Sequence, residues 1–309
     1  MALLAGLALS VLPALASGQT QWPDWPTDGE WMPVTHDDTP IGDPCEDGTG
    51  VSGERDLIGD AENPAIYYFF SYPDDTAPAD YLYFRMRLSE TPLSGGRNLK
   101  PFGWAVDIDT DGNYADYEYL IMVRGNDETV RLWKNTTPDG TSDPRDEAET
   151  RADCGGVPCE WDFYDPANDA DHDTIPDDIA LDYGMAVQLS TYFCLDGYAD
   201  AFIQFRVPLQ PFYDEPADDG DRIGPLDPVQ ALALWFGTSA STQKIDKDFA
   251  GHDGDSEDPY TLIDNPPDPV SQDRDRDTIP DIDDNCPTIP NPGQEDLDGD
   301  GLGDVCDDD

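Results

Sequence analysis

The sequence predicts a mainly β protein: an antiparallel β-sandwich followed by an irregular, acidic tail. Three observations predict it. Short segments rich in aromatic and β-branched residues recur between residues 65 and 237, separated by Gly, Pro and Asp turns. No long amphipathic helix interrupts them, so the layers that bury their apolar faces must be sheets. From Asp273 onward, hydrophobic periodicity gives way to a repeated acidic spacing.

Residues Ala2 to Leu15 are apolar or small, a run too short to span a bilayer. Ala14-Leu15-Ala16 fits an A-x-A cleavage site, with Ala16-Ser17-Gly18 as an alternative, although a basic n-region is missing. Residues 1–18 are therefore expected to be a signal peptide, and the mature chain to be secreted, extracellular or on the cell surface. Residues 19–59 form a Pro/Asp/Gly-rich N-terminal arm whose Trp22, Trp25 and Trp31 are expected to pack on the domain behind it.

The sandwich is predicted over 60–265. Its strands are expected at Ala65–Tyr72, Tyr81–Leu88, Phe102–Ile108, Tyr117–Val123, Thr129–Lys134, Ala186–Cys194, Ala199–Val207 and Ala231–Gly237. In the second, Leu82, Phe84, Met86 and Leu88 share one face, and Tyr81, Tyr83, Arg85 and Arg87 the other. Ala201, Ile203, Phe205 and Val207 repeat the pattern. Residues 136–183 read as an acidic insertion. The Pro-rich stretch 266–272 reads as a semi-rigid spacer.

Sixty-eight acidic and 16 basic side chains leave a formal net charge of −52. That excludes nucleic acid, whose phosphates need Lys and Arg to displace counterions. It also disfavours an anionic membrane surface, and no later apolar run predicts membrane insertion. A compact chain with this charge repels itself. Six cysteines, an even number, fit an oxidising compartment.

The tail carries the sharpest pattern. Asp273, Asp275, Asp277, Asp281 and Asp284 fall at positions 1, 3, 5, 9 and 12 of one loop. Asp296, Asp298, Asp300, Asp304 and Asp307 fall at the same positions of a second. Alternate carboxylates on a tight loop suit a hard cation. Ca²⁺ takes about six to eight oxygens, with a backbone carbonyl at position 7, here Ile279 and Leu302. Folding of these segments is therefore expected to be linked to Ca²⁺.

Asp284-Asn285-Cys286-Pro287, then Asn291-Pro292 and Gln294, then Asp296 through Asp307 with Cys306, resemble the thrombospondin type 3 repeat. The resemblance spans 273–309. It implies calcium coordination by the ten aspartates and a Cys286–Cys306 disulfide. Cys45, Cys154, Cys159 and Cys194 then remain, with three possible pairings. Thr278 stands where the family usually has glycine at position 6, so the first loop is expected to turn less sharply and bind more weakly.

Asp107, Asp109, Asp111, Gly112 and Glu118 match the EF-hand loop formula, but between strands rather than helices. A cation-holding turn and a solvated hairpin both fit them. Asp169, Asp171, Asp173 and Asp177 repeat the first half of the first tail loop, with Ala180 at position 12, and are expected to form a degenerate calcium loop inserted in the sandwich rather than a merely acidic loop.

Catalytic motifs are absent. His36, His172 and His252 sit in unrelated acidic loops, no HExxH occurs, and Gly237-Thr238-Ser239-Ala240-Ser241 misses the GxSxG elbow. Asn135-Thr136-Thr137 is a glycosylation sequon. The sandwich also resembles bacterial carbohydrate-binding and DOMON-type sandwiches, through Trp104-Ala105-Val106-Asp107 and its aromatic strands, without assigning any residue. Tyr81 with Tyr83, or Trp104 with Trp133, could stack a sugar or line a dry sheet interface. The expectation is an exported calcium-binding adhesion or binding protein, its sandwich the ligand module and its tail a calcium-stabilised stalk, with an extracellular glycan or surface protein as partner. The alternative is a secreted hydrolase of polysaccharide or protein with structural calcium.

Overall fold

The computed structural model describes residues 26–27, 29–45, 51–73, 77–94, 98–114, 116–126, 129–136, 200–215, 224–228, 230–240, 244–252 and 266–307. The predicted signal peptide, the strand at Ala186–Cys194 and nearly all of the acidic insertion lie outside them.

The strands are β1 (Met32–Pro33), β2 (Thr35–His36), β3 (Thr39–Pro40), β4 (Ile66–Ser71), β5 (Tyr81–Leu88), β6 (Leu93–Ser94), β7 (Asn98–Leu99), β8 (Gly103–Asp109), β9 (Tyr119–Arg124), β10 (Thr129–Lys134), β11 (Ala201–Pro208) and β12 (Ala233–Ser239). One helical turn, α1, covers Gln210–Tyr213. Two four-stranded sheets have the orders β1-β4-β5-β11 and β10-β9-β8-β12, and every pairing in them is antiparallel. Predicted strand bounds in the described residues agree to within a residue or two.

The period-2 pattern of β5 explains the core. Leu82, Phe84, Met86 and Leu88 are fully buried and meet Ile203, Phe205 and Val207 of β11 on the same face. Trp104, Val106 and Ile108 of β8 face them from the second sheet, and Phe84 and Phe236 touch edge to face at 5.9 Å. Each such aliphatic or aromatic side chain contributes roughly 1.5–3 kcal/mol by leaving water.

The opposite face of β5 is covered too. Tyr83, Arg85 and Arg87 are buried as well. Arg85 lies between Trp31 (4.5 Å) and Phe202 (4.7 Å), and Arg87 covers Phe202 at 4.6 Å while pairing with Asp200 at 2.9 Å. Arginine stems and planar guanidinium groups stack on aromatic faces, so a strand with arginines at alternate positions can still be covered.

The N-terminal arm is woven into the sandwich. Met32 and Pro33 pair with Tyr68 and Tyr67, and Leu57 and Ile58 are fully buried. Trp31 packs as expected; Trp22 and Trp25 lie outside the described residues.

Residues 266–272 are also stitched down rather than free. Asp37 and Asp38 take positive φ at the β2–β3 turn, and their amides donate to the two carboxylate oxygens of Asp268. The Asp268 amide donates to the Thr35 carbonyl, and Val270 bridges Leu232. Proline-rich backbone can pair where the remaining amides meet an edge, and this stretch does so.

Among the described residues, no helix is long and apolar enough to cross a membrane.

Candidate metal centres

The two tail loops are built alike, bond for bond. At position 1, Asp273 Oδ1 accepts from the Arg276 amide at 2.7 Å, and Asp296 Oδ1 from the Gly299 amide at 2.7 Å. Their Oδ2 atoms accept from the position 6 amides of Thr278 and Gly301 at 3.0 and 3.1 Å. Asp275 and Asp298 at position 3 each accept from the position 5 amide at 3.2 Å. Asp277 and Asp300 accept from the amides of Ile279 and Leu302 at 2.9 and 2.8 Å. Asp281 and Asp304 reach back to the position 2 amides of Arg274 and Leu297 at 2.7 and 2.8 Å.

Short Asp side chains bonding to amides ahead of them wind the chain into a tight coil. That coil brings carboxylate oxygens of Asp273, Asp275 and Asp277 within 4.8 Å of one another, and those of Asp296, Asp298 and Asp300 likewise. At an effective dielectric of about 20, each ionised pair at such separations repels by roughly 3–4 kcal/mol. Asp275 Oδ2 and Asp284 Oδ2 are buried with no hydrogen-bond partner. Burial first, then the charges of Asp277 and Asp284, push the Asp275 carboxyl up to about 6. Burial also raises Asp273. An oxygen-only, mutually repelling donor set with unfilled buried oxygens fits a hard cation.

The expectation for Thr278 is corrected by the backbone. Thr278 takes φ +81° beside +97° for Gly301, and Arg276 takes +62° beside +77° for Gly299. Both loops turn equally sharply, because the position 1 carboxylate binds the same two amides in each. The cost is strain: a β-branched residue at positive φ is disfavoured by about 1–2 kcal/mol. Thr278→Gly is therefore expected to stabilise the tail by up to about 1 kcal/mol after glycine's entropy cost. Chemical denaturation of the two chains side by side measures it.

The bridge between the loops does structural work that spacing did not reveal. Gln294 Oε1 accepts from the Asn285 amide at 2.9 Å while its Nε2 donates to Asp284 Oδ1 at 2.7 Å. The Asn291 amide donates to Asp277 Oδ2 at 2.7 Å. Cys286 and Cys306 form a disulfide with Cα atoms 5.8 Å apart. At Gly303 a Cβ would meet Asn285 Oδ1 at 2.4 Å and Cys286 Sγ at 2.6 Å, so only glycine fits beneath the bridge. Cys45 is also disulfide-bonded, while Cys154, Cys159 and Cys194 lie outside the described residues.

The first loop is docked on the sandwich through its position 2 and 4 side chains. Arg274 donates to the Ala77 carbonyl at 2.8 Å and covers Tyr72 at 4.9 Å. Arg276 covers Phe69 at 4.8 Å and reaches Glu30 at 3.4 Å. Gln272 accepts from the Ala79 amide and donates to the Tyr213 hydroxyl. In the second loop the corresponding residues are Leu297, 92% exposed, and Gly299.

In the β8–β9 hairpin the structure regroups the formula. Asp109, Asp111 and Glu118 have carboxylate oxygens within 4.8 Å of one another; Asp107 is not in that group. Asp107 lies within β8, fully buried and opposite Leu120 and Trp235. Its placement in the strand, two residues before the chain begins to turn, separates it from the loop acids. Burial, followed by the charges of Glu118 and Asp111, raises Asp109 to about 6 against the hydrogen bonds from Gly112 and Asp111. Asp169, Asp171, Asp173 and Asp177 lie outside the described residues.

No protein-family model, curated protein or solved structure matches this chain. The likeness of its tail to a known repeat therefore rests on the residues of that segment alone.

Elsewhere, three of the four candidate platform residues are enclosed, and Tyr81 is half-buried with Arg206 over its ring at 4.5 Å. Trp104 is fully buried with its indole donating to the Glu54 carbonyl at 2.8 Å, and Trp133 is 2% exposed in a second cluster with Trp235, Ile245 and Phe249. Tyr83 is buried too, which favours the dry-interface reading. Asn135 of the sequon is fully buried. Ser239 lies inside β12, donating to Asp246, not on an elbow. Two histidines thought unrelated meet: His36 and His252 both line a cavity of about 240 Å³ with Ile41, Trp235 and Phe236. Burial, then the nearby His36, lowers His252 to about 4.

Proposed function

We propose that this chain is an exported calcium-binding protein of the cell surface or extracellular matrix. Its sandwich is a binding module for an extracellular glycan or surface protein, and residues 273–307 are a calcium-holding segment of the thrombospondin type 3 kind. The observation that carries the reading is the duplicated Asp-to-amide hydrogen-bond frame of the two tail loops, with buried, partnerless oxygens on Asp275 and Asp284. Asp273, Asp275, Asp277 and Asp284 would hold Ca²⁺ in the first loop, and Asp296, Asp298 and Asp300 in the second. Bound Ca²⁺ supplies positive charge that offsets their repulsion. The chain's own share is to wind the loops beforehand through backbone amides and to hold them together through Gln294 and the disulfide.

Docking through Arg274 and Arg276 changes the role of the tail. It acts as a calcium-dependent brace on the sheet β1-β4-β5-β11 rather than as a detached stalk. Extracellular calcium modules bind at about 10⁻⁴ to 10⁻³ M, which suits a constitutive structural ion. Calorimetric Ca²⁺ titration of the mature chain beside an Asp277→Ala, Asp300→Ala variant tests the assignment. The variant is expected to lose the equivalents carried by the two loops. An isotherm unchanged in stoichiometry and affinity overturns the reading.

A further inference from the structure

The hairpin joining β8 to β9 carries its own constellation. Asp109 ends β8, and Glu118 precedes β9 with its amide bonded to the Ile108 carbonyl at 3.0 Å. The turn between them is wound by its acids. Asp109 Oδ1 accepts from the Asp111 and Gly112 amides at 2.9 and 2.8 Å, and Gly112 takes φ +77°. Glu118 Oε2 accepts from the Thr110 amide at 2.7 Å and its hydroxyl at 3.1 Å. Asp111 Oδ1 accepts from the Asn113 amide at 2.9 Å.

These bonds account for the turn, and they leave something over. Asp109 is 1% exposed, and its Oδ2 is buried without a hydrogen-bond partner. No described basic residue forms an ion pair with Asp109. A nearly inaccessible carboxylate is thus held with two others around one point.

We infer that the β8–β9 hairpin holds a Ca²⁺ ion on Asp109, Asp111 and Glu118, as a site separate from the tail loops. The donor set is oxygen only, which selects a hard cation. Two oxygens on opposite sides of Ca²⁺ stand up to about 5 Å apart, twice its bond length of about 2.3–2.6 Å, and the three carboxylates have oxygens within 4.8 Å of one another, inside that reach. Mg²⁺ demands a near-ideal octahedron at about 2.0–2.1 Å and dehydrates reluctantly, so it is the weaker competitor. The site departs from the EF-hand formula because Asp107 stays within the strand. It rests on Asp109 as the anchoring ligand, with Asp111 at the solvent side and Glu118 closing from β9.

The site is tested in the full-length mature chain with the tail disabled by Asp277→Ala and Asp300→Ala. Calorimetry reads Ca²⁺ binding, with Mg²⁺ in a parallel titration. Tb³⁺ luminescence excited through tryptophan reports the hairpin, because Tyr114 within it packs edge-on against Trp235 at 6.5 Å. The tail-disabled chain is expected to keep saturable Ca²⁺ binding and Tb³⁺ luminescence that Ca²⁺ displaces and Mg²⁺ displaces poorly. Asp111 is exposed, so Asp111→Ala should fold normally by circular dichroism. It should weaken binding tenfold or more, since even outer partners of metal ligands are worth about 10- to 100-fold. Absence of residual binding in the tail-disabled chain overturns the hairpin site and leaves the tail reading standing. Residual binding untouched by Asp111→Ala also overturns it. Full retention of every equivalent, with loss on Asp111→Ala, instead keeps the hairpin and overturns the tail.

Discussion

Ca²⁺ bound in the first tail loop is expected to stabilise the whole sandwich, not only the tail, in addition to any ion held by the β8–β9 hairpin. The first loop touches the sandwich through Arg274, Arg276 and Gln272, so fixing it adds to the same cooperative unit. An ion that binds only the folded form stabilises it by about 2.7 kcal/mol at one hundred times its dissociation constant. Thermal unfolding followed by tryptophan fluorescence, with and without Ca²⁺, measures the effect. With the hairpin ion removed by Asp111→Ala in every chain compared, Asp277→Ala should remove most of the remaining rise. Asp300→Ala should leave it nearly intact, because Leu297 and Gly299 make no comparable contact with the sheet. Arg274→Ala should keep the affinity of the loop while shrinking the rise. If both aspartate variants behave alike, docking does not transmit the binding energy and the brace is wrong.

The second large effect is expected in mild acid. His252 is buried and held neutral, with a pKa lowered from 6.5 to about 4, by burial first and His36 second. The sign follows from proton uptake. Below pH 6.5 the unfolded chain gains a proton on this residue while the folded chain does not, so stability present at pH 7 is lost as pH falls toward 4. The loss amounts to about 3 kcal/mol near pH 4, at about 1.4 kcal/mol per unit. Many acids titrate over the same range, so the informative quantity is a difference. Urea unfolding of the wild type and of His252→Gln, without Ca²⁺, should show the wild type losing about 3 kcal/mol relative to the variant between pH 7 and pH 4. Parallel pH dependence in the two chains would falsify the assignment.

Much of the fold was legible because sheets leave a period-2 imprint. Leu82, Phe84, Met86 and Leu88 occupy the core face that alternation assigns them, and Ala201, Ile203, Phe205 and Val207 repeat it from β11. Alternation is blind to what covers the other face. Arg85 and Arg87 alternate with the core residues, yet Arg85 is stacked between Trp31 and Phe202, and Arg87 on Phe202, by elements distant in sequence. The same blindness left Trp104 and Trp133 open to a surface role that their burial removes.

The tail was legible for a different reason. Its geometry is local: each Asp side chain bonds to an amide a few residues away, so spacing alone carries the coil. Thr278 was misjudged because a residue's conformational preference is weaker than the pull of two amides on Asp273. The hairpin was half legible. Glu118 and Asp109 were visible as a formula, but the end of β8 decides which acids share a point, and it excludes Asp107.

By itself the sequence determined the longer described strands, their inward faces and the repeated carboxylate spacing, all of which depend on residues near one another along the chain. Only the tertiary structure decided that the arm and the Pro-rich stretch belong to the sandwich, that His36 and His252 share a cavity, and that the first loop leans on Tyr72 and Phe69. Those facts join residues distant in sequence: His36 and Pro266, 230 positions apart, share a hydrogen bond at 2.7 Å that ties the β2–β3 hairpin to the C-terminal segment. The folded sheets bring these partners together, whereas composition, spacing and periodicity act along the chain and carry no trace of the meeting.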